Sequence, residues 1–77
     1  MPLKIEEMFA FVSVDEKGDE GVCGFTNPET GEWIPMVGAD MARVDSLKGM
    51  ARSIARITGR PVKLIKFRDR LEVEDIT

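Results

Sequence analysis

Histidine is absent from this sequence and cysteine occurs once, at position 23. One cysteine excludes a disulfide within the chain. With no histidine, a structural zinc site of Cys/His type, which wants about four nitrogen or sulfur ligands, would find only one. The base that normally activates a serine or cysteine nucleophile is also missing. Ser13, Ser46 and Ser53 therefore stand without a catalytic partner, and Cys23 reads as a small buried strand residue. Neither type of glycine-rich phosphate loop occurs. The paired carboxylates Glu6 and Glu7, Asp15 and Glu16, and Asp19 and Glu20 lie in polar stretches, and their spacing does not fit a calcium-binding loop. These absences point to binding rather than catalysis, with no metal, cofactor or small-molecule substrate expected.

Long apolar runs are missing too: no segment approaches the roughly 18 consecutive apolar residues of a membrane span. The stretch from Met1 to Glu7 has an acidic pair where a secretory leader would be apolar. A single unpaired cysteine suits a reducing compartment, so the expectation is a cytoplasmic chain. There is no internal repeat and no linker.

What is present is an ordinary globular balance, 43% hydrophobic and 32% charged, in 77 residues. That is one domain, and a chain of this size buries only about 60% of its unfolded surface. With a disulfide excluded and too few ligands for a Cys/His zinc site, self-association as a homodimer is an open source of extra stability.

The order of elements can be read from periodicity and turn residues. Residues 6–14 hold a run, Met8 to Val14, that is nearly apolar on both faces, as in a central strand covered on at least one side. A polar turn with two glycines leads to a second strand over 21–26, antiparallel because the connection is short. Asn27-Pro28-Glu29-Thr30-Gly31 marks a tight turn. The third strand, 33–37, contains Pro35, which cannot donate to a ladder, so an edge or a bulge is expected. Asp40 and Asp45 are both suitable helix N-caps. Leu47, Met50, Ala51, Ile54, Ile57 and Thr58 recur at helical spacing, placing an amphipathic helix over 45–58 that ends at Gly59 and Pro61. A fourth strand follows at 62–68. The segment 69–77 is read as a helical turn on the strength of Asp69 and Glu72, although Leu71 and Val73 alternate as in a strand. The predicted fold is α+β, β-β-β-α-β: one mainly antiparallel sheet with a single amphipathic helix on one face.

Charge is divided along the chain. Residues 1–42 carry nine acidic and two basic side chains, and residues 43–70 carry nine basic and two acidic, within a net charge of −3. Lys48, Arg52, Arg56 and Arg60 form a candidate stripe for nucleic acid or an acidic partner. Against it, a helix with one apolar face needs a solvated opposite face in any case, and the acidic total disfavours nonspecific nucleic-acid binding. Lys63, Lys66 and Arg68 extend the stripe or blunt a strand edge. Trp33 closes the core against the helix or presents a flat face to a partner. Trp33, Pro35, Met36, Val37 and Met41 together form the candidate protein-contact patch.

Two resemblances attach to these residues. The stretch Phe9-Ala10-Phe11-Val12-Ser13-Val14-Asp15, then Asp19-Glu20-Gly21-Val22-Cys23-Gly24, Gly38-Ala39-Asp40 and Gly59-Arg60-Pro61-Val62-Lys63-Leu64, resembles small proteins encoded by phages and prophages. It implies a phage-associated setting and carries over no activity. The β-β-β-α-β order, with a hairpin first, is similar to the partial RNase H-like domain of HicB-type antitoxins, which neutralise an RNA-cleaving toxin and oligomerise. The characteristic Pro-Asp-Leu-Pro-Gly segment of that family does not occur here. The resemblance implies an inhibitor acting by protein contact. The expectation is thus an interaction module binding a protein partner or a second copy, with nucleic acid as the alternative.

Overall fold

A computed structural model describes residues 4–77. It contains β1 (Met8–Val14), β2 (Glu20–Val22), β3 (Gly24–Thr26), β4 (Trp33–Pro35), β5 (Val37–Gly38), helix α1 (Met41–Thr58) and β6 (Val62–Phe67). The α+β class with one helix and antiparallel strands is as the sequence predicts. The second and third expected strands are each split, at Cys23 and at Met36.

The apolar run β1 is the central strand. On one side it pairs along almost its whole length with β6, from Met8 opposite Phe67 to Ser13 opposite Val62. Its other side is shared. β2 pairs with its C-terminal part (Val12 with Val22) and β5 with its N-terminal part (Ala10 with Val37). Between these halves the two strands leave β1 and pair with each other as the arm β3–β4, Gly24 opposite Pro35 and Thr26 opposite Trp33. The three ladders meet at one point. Cys23 N–H donates to Phe11 O (2.8 Å), Phe11 N–H to Met36 O (3.0 Å), and Met36 N–H to Cys23 O (2.8 Å). This fork satisfies the backbone where a simple meander would have had to choose between pairings. Both splits follow from it, because Cys23 and Met36 are the residues at which each strand changes partner.

The turns are built as their residues require. Asp15 Oδ1 accepts from the N–H groups of Lys17 (2.8 Å) and Asp19 (2.9 Å), and Gly18 takes a φ of 89°. Asn27 Oδ1 accepts from Glu29 N–H (2.9 Å), Asn27 N–H donates to Glu32 O (2.7 Å), and Gly31 sits at φ 76°. Pro35 lies in β4, on the outer side of the arm, where its missing N–H costs no ladder bond.

Helix α1 begins earlier than the sequence suggests. Asp40, not Asp45, is the N-cap, and its Oδ1 accepts from Arg43 N–H at 2.9 Å. Such a cap contributes about 1 kcal/mol. Asp45 lies inside the first turns and pairs with Lys48 Nζ at 3.0 Å. Gly59 closes the helix at φ 69° with its N–H on Ala55 O, 2.9 Å, as predicted. β5 and β6 both run antiparallel to β1, so they are parallel to one another, and α1 is the crossover that joins them around the central strand.

Strand alternation assigns the faces. Phe9, Phe11, Cys23 and Met36 point toward the helix and form the core with Val44, Leu47 and Ala51, flanked by Phe25, Ile54 and Val62. The buried stripe of α1, Val44, Leu47 and Ala51, is narrower than its apolar stripe: Met50 is partly open and Ile57, expected in the core, is 83% exposed, both lying at the same margin of the apolar arc. Residues 68–77 carry no regular secondary structure, so the expected helical turn is not formed. One isolated turn cannot meet the cost of helix nucleation, and Leu71, Val73 and Ile76 are almost fully in solvent. The Cα radius of gyration, 14.4 Å, exceeds the roughly 11 Å of a chain this long because the arm and this segment protrude.

Candidate interaction surface

The residues of β1 that do not face the helix are Met8, Ala10, Val12 and Val14. Paired residues of an antiparallel ladder share a face, so the registers place Val22, Val37, Ile65 and Phe67 on the same side. The fork keeps this alternation in phase, because Phe11, Cys23 and Met36 all turn inward. It therefore continues into the arm, where Trp33 and Pro35 extend the same face. The polar side chains there are Glu20 beside Val14, Thr26 beside Trp33, and Lys63 beside Val12. Among the described residues no helix covers this side, and the face is nearly continuous apolar surface.

Its relief is shallow. Ala10 and Val12 are buried at its centre beneath larger neighbours, while Trp33 is 59%, Phe67 53% and Val22 47% exposed. Val12, Val22, Ile65 and Phe67 line a groove across β1, with Glu20 at its end. Water-exposed apolar side chains gathered on one sheet face cost free energy in an isolated chain, and that free energy is recovered when something covers them.

Of the expected contact patch, Trp33 and Pro35 are exposed on the arm and Val37 is half-buried on the same face. Met36 is not part of the surface: it is fully buried, because the alternation that turns Trp33 outward turns Met36 into the core. Met41 is exposed at the start of α1, on the helix layer rather than the open face. Trp33 does not close the core. Its indole lies over Gly24, the only residue type whose backbone leaves it room, since a Cβ there would collide with the ring. Gly24→Ala is therefore expected to displace the indole, shifting tryptophan fluorescence and near-UV circular dichroism while the helical far-UV signal is unchanged.

The basic stripe is divided. Lys48 pairs with Asp45, and Arg60 Nη2 lies 3.4 Å from Glu16 Oε1 across the β1–β2 turn. Both pairs are exposed and contribute little stability. Arg52 and Arg56 are exposed and make no ion pair among the described residues. Lys48 and Arg52 edge a second shallow groove floored by Phe11, Ala51, Val62 and Leu64 between α1 and β6. Lys66 packs over the Phe9 ring (5.7 Å) and pairs with Glu7 at 3.4 Å, joined by Arg68 at 3.9 Å. These side chains serve the strand ends.

Cys23 is buried at the fork. The hydroxyls of Ser46 and Ser53 bond to carbonyls within their own helix, Arg43 O and Gly49 O. Among the described residues no three carboxylate or thiol groups gather as a metal site, and no helix is long and apolar enough to cross a membrane. Compared with known proteins, the chain matches no family model, no curated protein and no solved structure.

The residues that sequence reasoning missed are Val12, Val22, Ile65 and Phe67. A signal for them was present: the even positions of β1 are as apolar as the odd ones. One helix can cover only one face.

Proposed function

We propose that this chain is a non-enzymatic interaction module that works through protein–protein contacts made by the open face of its sheet. The observation that carries this is the uncovered apolar side, Val22, Ile65 and Phe67 around a buried Val12 and continuing into Pro35 and Trp33, interrupted only by Glu20, Lys63 and Thr26. Aromatic anchors over a flat apolar centre are the composition of protein contact surfaces. The phage-like resemblance suggests a phage-associated setting, and an antitoxin-like inhibitor is one member of this class. Photo-crosslinking tests the reading. A benzoylphenylalanine at position 33 or 67 in the producing cell is expected to capture a discrete protein partner, a second copy included. The same probe at exposed Ile57, on the helix layer, is expected to capture none. Equal yields from all three positions would sink the assignment to this face.

A second reading has its own support. Arg52 and Arg56 make no ion pair among the described residues and stand one turn apart on an exposed helix side, which suits a phosphate backbone or an acidic partner. Fluorescence anisotropy with duplex DNA and single-stranded RNA distinguishes it. Binding that falls steeply with salt and disappears in Arg52→Glu/Arg56→Glu would favour this reading, because released counterions dominate such binding.

A further inference from the structure

The open face has a charge arrangement that fits one occupant in particular. Glu20, on β2, and Lys63, on β6, lie on opposite sides of β1 and close to the same level, beside Val14 and Val12. Both point to the open side, and both are exposed. Neither forms an ion pair among the described residues. A two-fold axis parallel to β1, lying above this face, carries β2 of one copy over β6 of the other. The rotation lays Val12 over its own counterpart, Val22 over the aliphatic stem of Lys63 and Val37 over Ile65, and it brings Glu20 of each copy one residue pair, about 7 Å, along the strand from Lys63 of its mate, within side-chain reach. Opposite charges thus meet twice around an apolar centre, as an isologous interface requires.

The size of the face indicates which other part must join. Three strands at about 4.8 Å spacing and a length of about seven residues give roughly 300 Å² in projection. A stable pair usually needs about 800 Å² from each partner. The same rotation lays the β3–β4 arm past the free edge of the opposing β6, where Trp33 and Pro35 add apolar contact. That accounts for a large exposed aromatic side chain held on an arm that no described part of its own chain covers.

We propose that the open faces of two copies pack against each other in a symmetric homodimer, with aligned sheets, reciprocal Glu20–Lys63 pairs and each arm clasping the other copy's β6. This rests on the interaction reading above and names its partner as the chain itself. Sedimentation equilibrium of the full chain tests it, with far-UV circular dichroism as a check on folding. The wild type is expected to be a dimer at micromolar concentration. Glu20→Lys and Lys63→Glu, each turning two attractions into repulsions, are expected to raise the dissociation constant about tenfold, the equivalent of 1.4 kcal/mol. The double variant Glu20→Lys/Lys63→Glu is expected to return to within about threefold of wild type, and Trp33→Ala to weaken the pair about tenfold or more.

A wild type that stays monomeric overturns the dimer. So does a dimer indifferent to single reversals, or a double variant no tighter than the singles. If the chain is monomeric while positions 33 and 67 still capture a foreign protein, the dimer fails and the interaction reading stands. If neither self-association nor capture through this face occurs, both fail.

Discussion

Met36→Ala is expected to destabilise the fold by about 2–5 kcal/mol, the range for truncating a fully buried aliphatic side chain. A chain of this length has only about 4–12 kcal/mol in all, so the loss would be a large share of the total. Met36 has no exposure and sits at the fork, where its side chain packs in the core with the buried residues of α1 and its backbone links Phe11 of β1 to Cys23. The effect should not be confined to the cavity. The arm is a two-stranded ribbon, marginal by itself, and Met36 with Cys23 is its root. Urea unfolding gives the stability change. Amide exchange should show the β3–β4 protons and the Phe11 N–H losing protection together. Met36→Leu, which keeps the volume, should cost less than about 1.5 kcal/mol. A loss below about 1 kcal/mol for the alanine, with the arm still protected, would show that the fork is not the joint described here.

Val22→Asp/Phe67→Asp is expected to abolish binding while the domain remains folded. Both side chains are about half exposed in the isolated chain, so charged replacements remove little burial and should cost at most about 1 kcal/mol each. At an interface the same side chains become desolvated, and a carboxylate put there has no partner. Removing two apolar side chains from the centre of the interface corresponds to about 3–4 kcal/mol, or at least a hundredfold in affinity. The measurement is titration of the variant against whatever protein positions 33 and 67 capture, alongside its thermal melt. Unchanged affinity would remove the open face from the interaction.

Much of the architecture is legible in the chain. The helix shows its C-terminus plainly, since Gly59 and Pro61 stop it by local backbone geometry. The Asn27–Gly31 turn and the exposed position of Pro35 are likewise local. The centrality of β1 follows from an apolar run with no polar face. The helix start is less plain, because Asp40 and Asp45 are equally good acceptors. Packing decides for Asp40, since a helix that starts there lets Val44 reach the core. The inward stripe of the sequence extends too far at Ile57, because periodicity marks the apolar arc of the helix but not how much of its width the sheet covers.

The site divides in the same way. Residue chemistry alone determined the missing nucleophile–base pairs, the lone thiol, and an aromatic residue on an edge strand beside a proline. It could not separate Trp33 from Met36: both are apolar, three residues apart, at the same bend of the chain. Strand alternation places them on opposite faces, but which face is inside depends on the fork, where three ladders converge in one phase. That convergence joins residues 11, 23 and 36, and no short-range pattern encodes it. The open face is equally a product of assembly. Apolar even positions in β1 say that both sides seek cover, and the single helix supplies it to one. Only the folded chain shows which side is left bare, and that Glu20 and Lys63, far apart in sequence, flank it with opposite charge.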